Sequence, residues 1–202
     1  MTLILATANS FKVRELRTVL QELLPTLTVR SLLDFPQFHP DEFFESSFEE
    51  NAIAKALAAA KILQQPCLAD ESGLVIPYLG DYSESLRRKK LQPQGKKLPD
   101  TKQVLADLQN VDDLNRTAFL ESVIAFATPD GAGKTASARM EGMIAHKEMG
   151  PSSFDFTSIF IKYEYSKTLA ELPESVCARI SHRKKACEKL WPSLREFFGK
   201  KS

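Results

Sequence analysis

The opening residues place a strand, a helix and a second strand in immediate succession, and that alternation constrains this chain more than any other feature. Thr2–Ala6 is a short apolar run of the kind that fills a buried strand. From Ser10 to Leu24 the apolar residues Val13, Leu16, Leu20, Leu23 and Leu24 recur at helical spacing, and Pro25 stops the pattern. Leu27–Leu32 then reads as a second strand. Further along, Ser47-Phe48-Glu49-Glu50 fits a capping box opening an Ala-rich helix to about Leu63, with Phe48, Ala52, Ala56, Ala59 and Leu63 on its apolar face. Pro66–Asp70 reads as a strand, Ser72-Gly73 as a turn and Leu74–Leu79 as a further strand. A helix is expected from Thr101 to about Leu108, capped by Asp100. Ala118–Thr128 and Ala136–His146, separated by Pro129-Asp130-Gly131, form a hairpin. Phe154–Tyr163 predicts one more strand, and Arg183–Phe198 a last helix with Leu190, Leu194 and Phe197 on its apolar side. Two stretches have no period. Asp34–Ser47 mixes Pro, His, acids and four Phe and reads as a loop; Arg87–Lys97 is basic and polar and reads as an exposed linker. Strands alternating with helices, plus one long hairpin, imply an α/β fold on a mixed sheet.

With 202 residues, 43% of them hydrophobic, one domain with a substantial core is expected. Lys+Arg 27 against Asp+Glu 26 leaves a formal charge of +1. That balance argues against a protein that coats nucleic acid, and leaves room for a small anionic ligand held by a local cluster of donors. No apolar run approaches the ~20 residues of a membrane span. Met1–Leu5 has no basic leader followed by a long apolar stretch, so a cytoplasmic location is expected. Cys67, Cys177 and Cys187 form no C-x-x-C pair and read as thiols of a reducing compartment. His39, His146 and His182 are too scattered for a histidine metal site.

Four stretches carry chemistry. Thr7-Ala8-Asn9-Ser10-Phe11-Lys12 lies where a strand passes into a helix. The N–H groups and dipole of a helix start favour anions, and Thr, Asn and Lys add donors; Asn9 or Ser10 could equally serve only as the helix cap. Glu50, Asn51 and Lys55 interrupt a helix otherwise filled with Ala, and Asn in a first turn suggests a side-chain task. Asp70 and Glu71 are adjacent carboxylates at a strand end, a set suited to Mg²⁺. His182 and Arg183, placed before the last helix, offer an imidazole and a planar donor fork to a heterocycle or phosphate. By contrast, Gly133-Lys134-Thr135 is no phosphate-binding P-loop. The required earlier glycine is Thr128, and a strand follows it rather than a helix.

In order and spacing these stretches resemble the inosine triphosphate pyrophosphatase family. The family's opening L-A-T-x-N-x-x-K-x-x-E-L matches Leu5-Ala6-Thr7-Ala8-Asn9-Ser10-Phe11-Lys12-Val13-Arg14-Glu15-Leu16. Its T-F-x-E-N-A-x-x-K-A matches Ser47 to Ala56, and its A-D-D-S-G-L appears as Ala69-Asp70-Glu71-Ser72-Gly73-Leu74. Its late T-x-A-E-L and S-H-R appear as Thr168–Leu172 and Ser181-His182-Arg183. The resemblance implies an elongated mixed-sheet α/β protein with flanking helices, a nucleotide cleft between two lobes, and a homodimer. It further implies hydrolysis of ITP, dITP or XTP to the monophosphate and pyrophosphate with Mg²⁺. Thr7, Ala8, Asn9, Ser10, Phe11, Lys12 and Lys55 would hold the triphosphate. Ser72, Phe154, Asp155, Phe156, Thr157, Cys177, His182 and Arg183 would complete the nucleotide site, with Phe154 stacking on the purine and His182 and Arg183 reading its six-position oxygen. Asp70 or Glu71 would hold the metal and activate water. Glu42, or Glu45 after a small slip, would add a metal ligand, because the family's position for it falls on Phe43.

The departures lie around the catalytic centre. The second Asp of the family's pair is Glu71, which moves the charge by roughly 1.5 Å. An Asp of the late strand is Thr157, and a Lys before the Ser-His-Arg motif is Cys177, with Arg179 near enough to replace part of its charge. The family's G-G-x-P-G stretch is missing between Leu79 and Tyr82. These changes leave open a nucleotide-binding protein with weakened catalysis, or a hydrolase with shifted preference.

Overall fold

A computed structural model describes residues 1–38, 47–79, 101–151 and 156–199. Glu42, Glu45, Phe154, Asp155 and the Arg87–Lys97 stretch lie outside the described residues. Among the described residues the chain forms six strands and five α-helices. Strand β1 (Thr2–Leu5) leads into α1 (Ser10–Leu23) and β2 (Thr28–Ser31), as the alternation predicts. Helix α2 (Phe48–Leu63) starts at Ser47, whose hydroxyl accepts from the Glu50 N–H at 3.1 Å. Its buried side holds Phe48, Ala52, Ala56 and Ala59 as expected, and also Asn51 and Ala60.

Several expectations differ. β3 runs unbroken over Cys67–Val75, so Ser72-Gly73 is no turn; a 3₁₀ turn at Pro77–Leu79 stands where a strand was expected. The near-continuous burial of β3, from Cys67 to Asp70 and again from Ser72 to Leu74, is that of a central strand covered on both faces. The strand expected over Phe154–Tyr163 shrinks to β6 (Phe160–Lys162), preceded by a 3₁₀ turn at Phe156–Ser158. A helix unforeseen from sequence, α4 (Glu174–Ile180), follows the short α3 (Thr101–Asp107) in the helix order. α5 (His182–Gly199) takes in both His182 and Arg183, so the motif opens the helix rather than preceding it. β4 (Thr117–Ala127) and β5 (Gly133–Ile144) are joined by a tight turn closed by the Thr128 N–H to Ala132 O bond at 2.9 Å. Gly133-Lys134-Thr135 therefore begins a strand, as read.

The strands lie in the order β2-β1-β3-β4-β5-β6. β1 pairs in parallel with β2 and β3, and β5 pairs antiparallel with β6, which makes the sheet mixed. At Gly142 the β5–β6 pair closes so tightly that a Cβ there would stand 2.2 Å from the Ile161 carbonyl oxygen.

The chain divides into two compact units. The first comprises Met1–Ser72, Ser122–Ala138 and His182–Ser202. Its core joins Leu3 and Leu5 of β1, Val13, Leu16 and Leu20 of α1, Ile124 of β4, and Leu190 and Leu194 of α5. Phe126, Phe197 and Phe198 meet in it, two of the three pairs edge-to-face. The second comprises Gly73–Glu121 and Arg139–Ser181, with Leu74, Leu108, Leu120, Ile144 and Phe160 in its own core. Within it Arg116 is buried, with 1% of its surface exposed. Its guanidinium donates to the carbonyls of Leu108 (2.6 Å), Ile144 (2.8 Å) and Ala145 (2.6 Å). One planar fork thus ties the end of α3 to the end of β5.

Candidate active site

Sheet register assembles the candidate site within the first unit. β1 lies beside β3 with Leu5 opposite Leu68, and the Ala6 N–H donates to Leu68 O at 2.7 Å. The chain leaving β1 therefore runs alongside Ala69 and Asp70. The connection Thr7–Ser10 turns it back into α1. Asn9 is the N-cap: its Oδ1 accepts from the N–H groups of Phe11 (3.0 Å) and Lys12 (3.2 Å), while Thr7 Oγ1 accepts from Asn9 N–H at 3.2 Å. Ala8, Asn9, Ser10 and Phe11 are exposed. The loop is thus open to solvent, and its cap occupies the first helical N–H groups.

Lys12, in the first turn of the helix, reaches β3. Its Nζ lies 2.9 Å from Asp70 Oδ2 and 3.3 Å from the Asp70 carbonyl oxygen. From the start of α5, Arg183 reaches the same carboxylate through Nε (3.2 Å), while Nη1 bonds Glu15 Oε2 (3.1 Å) and Nη2 bonds Ser72 Oγ (2.8 Å). Ser72 donates in turn to Asp70 Oδ2 at 3.1 Å, and Ser122 of β4 donates to Oδ1 at 2.6 Å. The Asp70 side chain is wholly inaccessible. A buried carboxylate is tolerated only when charges and donors surround it. Burial works to raise its pKa, but Lys12, Arg183 and the Ser122 hydroxyl outweigh burial and hold the carboxyl well below the usual range.

Glu71, the next residue, points to the opposite face of the strand, as the two-residue period requires. It forms an ion pair with Lys55 of α2, and both side chains stay partly open to solvent. The Ala-rich helix brings Lys55 there because its small residues pack that side of α2 against the core. Asn51, one turn earlier, is buried. His182 is buried at the start of α5 beside Arg183. Glu15, although part of the opening motif, and Ser122, a lone serine in an apolar strand, were given no role by sequence reasoning. Ser122 offers only one weak signal, a hydroxyl directly before the apolar run Val123–Ala127.

In the second unit, Phe156 and Thr157 lie in the 3₁₀ turn before β6, both half-buried. Cys177 sits in α4 with its thiol 3.3 Å from Leu169 O. Thiols elsewhere are inert by burial: Cys67 is pushed up to about 12, and Cys187 is raised by burial and by the nearby Asp70 and Glu15 charges.

The donor set bears on the expected Mg²⁺. Among the described residues no group of three or more His, Cys, Asp or Glu converges to hold an ion. Asp70 is committed to four donors, which leaves Glu71 as the accessible carboxylate. One carboxylate plus substrate phosphates is a common Mg²⁺ environment, so the residues fit an ion that arrives with a polyphosphate.

A model of the Ham1 family matches residues 3–193. A protein of Chlamydia abortus named dITP/XTP pyrophosphatase is 34% identical over 201 residues, covering 99% of this chain and 97% of that protein. A HAM1 protein structure from Coxiella burnetii superposes with a TM-score of 0.81 at 33% identity, covering 97% of this chain and 99% of that one. The Staphylococcus aureus Ham1 protein gives 0.79 at 28% identity, over 97% of this chain and 99% of that one.

Proposed function

The chain belongs to the Ham1 family, and on that premise we propose that it hydrolyses non-canonical purine nucleoside triphosphates (ITP, dITP, XTP) to the monophosphate and pyrophosphate. The name of the Chlamydia abortus relative supports the substrate class. The observation that carries the reading is that Lys12 and Arg183 ion-pair with Asp70 while Lys55 ion-pairs with the adjacent Glu71, so that four stretches of one unit bring three cations to two neighbouring carboxylates.

Lys12 and Lys55 stand on the two sides of β3's Asp70-Glu71 and take the polyphosphate. The phosphates compete with Glu71 for Lys55, and Glu71 then accepts the proton of the water that attacks the α-phosphorus. The bond from that phosphorus to the bridging oxygen breaks, and pyrophosphate leaves with the bridging oxygen. Mg²⁺, when bound, neutralises the triphosphate and polarises the phosphoryl oxygens; Glu71 would hold it, with Glu42 or Glu45 as the second ligand. Glu71 takes precedence over Asp70 as the base because it is accessible, whereas Asp70 is buried and ion-paired. His182 and Arg183 present donors to the six-position oxygen of the purine, where adenine carries an amine. The family resemblance alone is the ground for adding Phe154, stacking on the purine, and Asp155, Phe156, Thr157 and Cys177 to the proposed nucleotide-binding residues. A homodimer acting in the cytoplasm belongs to the same proposal.

The test is pyrophosphate release from ITP, dITP, XTP, dGTP and ATP, with Mg²⁺ and with chelator. Turnover of ITP over ATP by roughly ten- to hundredfold is expected, since an unpaired buried donor costs about 1–3 kcal/mol. No release from any of the five, or equal kinetics for ATP and ITP, refutes the reading. Tight binding without turnover would instead favour a nucleotide-binding protein, the alternative to which Thr157 and Cys177 point.

A further inference from the structure

Asp70 receives four donors on its two oxygens: Lys12 Nζ, Arg183 Nε and Ser72 Oγ at Oδ2, and Ser122 Oγ at Oδ1. A carboxylate offers about four lone-pair sites. With three donors crowding Oδ2, Ser122 on Oδ1 and no exposed surface, this group is closed off both from the attacking water and from a metal. We propose that Asp70 is a positioning residue that restrains Lys12 and anchors Arg183 through one buried carboxylate, with Glu15 as the second anchor of Arg183. The proposal rests on the reading above for the ends of the nucleotide that Lys12 and Arg183 serve: polyphosphate and base.

The two cations depend on Asp70 differently. Lys12 is partly exposed, sits at the edge of the loop, and is also held by the Asp70 carbonyl. A polyphosphate must draw it away from Oδ2. The carboxylate stays compensated when that happens, because Arg183 and the two hydroxyls remain on it. Arg183 has no such freedom: Asp70, Ser72 and Glu15 hold three nitrogens of its planar fork from different sides. Removing the negative charge at position 70 should therefore act in opposite directions at the two ends. Lys12 loses its competitor and the site gains a unit of positive charge, so a bare polyphosphate binds more tightly. Arg183 loses its anchor, so base discrimination falls.

The experiment pairs two measurements on Asp70→Asn and Glu15→Gln. Inorganic tripolyphosphate, without divalent cation, is titrated calorimetrically. The ratio of kcat/KM for ITP over ATP is measured with Mg²⁺, with kcat and KM resolved. Asp70→Asn should bind tripolyphosphate roughly tenfold more tightly and lose most of the ITP preference, with the loss in KM. Glu15→Gln, at a half-exposed position that leaves Asp70 intact, should lower the ITP preference by a smaller factor. A fall in kcat for both nucleotides with the ratio preserved would make Asp70 a base or metal ligand and overturn the proposal. Weaker or unchanged tripolyphosphate binding by Asp70→Asn would overturn it too. Should Asp70→Asn fail to fold, an unchanged ratio in Glu15→Gln still overturns it. Equal turnover of ITP and ATP by the unmodified protein would defeat the base-reading role of Arg183; the tripolyphosphate titration then decides the restraint on Lys12 by itself.

Discussion

Replacing Arg116 by Met removes a buried cation whose partners are all backbone carbonyls. Three bonds of 2.6–2.8 Å go, to Leu108, Ile144 and Ala145. Charge-assisted hydrogen bonds contribute about 1.5–3 kcal/mol each. Two effects offset the loss. Met has similar volume and spares the burial of a charge, although it leaves the carbonyls without this donor. The Leu108 oxygen also keeps the Val111 N–H at 3.1 Å. A net loss of about 3–5 kcal/mol remains, a large share of the ~5–15 kcal/mol typical of a whole protein. For a chain of this size that is a fall in Tm of roughly 6–20 °C. Far-UV circular dichroism melts at two scan rates measure it. Arg116→Lys separates charge from shape: an ammonium is a point donor and cannot serve carbonyls on two elements at once, so Lys should recover only part of the loss. A Met variant melting within about 2 °C of the parent, or a Lys variant matching it, refutes the argument that the planar fork ties α3 to β5.

Glu71→Gln keeps size and removes charge, so turnover should fall by roughly 10²–10⁴ with the melting temperature little changed; wild-type turnover would remove Glu71 from the mechanism. Lys12→Ala and Lys55→Ala should each weaken triphosphate binding by a charge-assisted bond of about 1.5–3 kcal/mol and leave inosine binding nearly unchanged; equal losses for both ligands would make these lysines structural. Gly142→Ala places a Cβ 2.2 Å from Ile161 O and 2.7 Å from the Phe160 ring, so backbone must move, at about 1–3 kcal/mol or more; a melt unchanged by that substitution refutes the close approach. Asp70 is held below its unfolded pKa of about 3.9, so its contribution to stability is complete above that value and drains away as pH falls toward the folded pKa. Urea titrations from pH 6 downward should show a steeper acid loss in the parent than in Asp70→Asn, and parallel curves count against the assignment.

What sequence could and could not convey follows from how each element is specified. α1, α2 and the β4–β5 hairpin carry their own signals: a helical period, a Ser47 cap and a Pro-Asp-Gly turn. β3 was split in sequence because Ser72-Gly73 is ordinary turn chemistry. Tertiary pairing on both sides overrides it, and Ser72 is used instead to bridge Asp70 and Arg183. α4 was missed because seven residues with Cys and two charges give no period to read. At the site, the motifs named Lys12, Asp70 and Arg183, but only the fold reveals that all three meet at one carboxylate. Nothing local distinguishes Asp70 from Glu71. Their difference is the strand's alternation, which turns one inward and the other toward Lys55.

The first unit is stitched from three stretches of chain, and every residue of the second is synthesised before the last of them, 182–202. At ~5–20 residues per second, about 5–20 s of translation separate Ser72 from His182. Throughout that interval Val13, Leu16 and Leu20 of α1 wait without Leu190 and Leu194, and Asp70 waits without Arg183. The nascent protein therefore carries an uncovered apolar helix face and an under-compensated carboxylate at the same time, and α5 relieves both as it emerges. A chain cut before His182 would lose the Arg183 partner of Asp70 and the closing layer of its core in one stroke, which makes premature termination there a matter for chaperones and proteases rather than a route to a partly active enzyme.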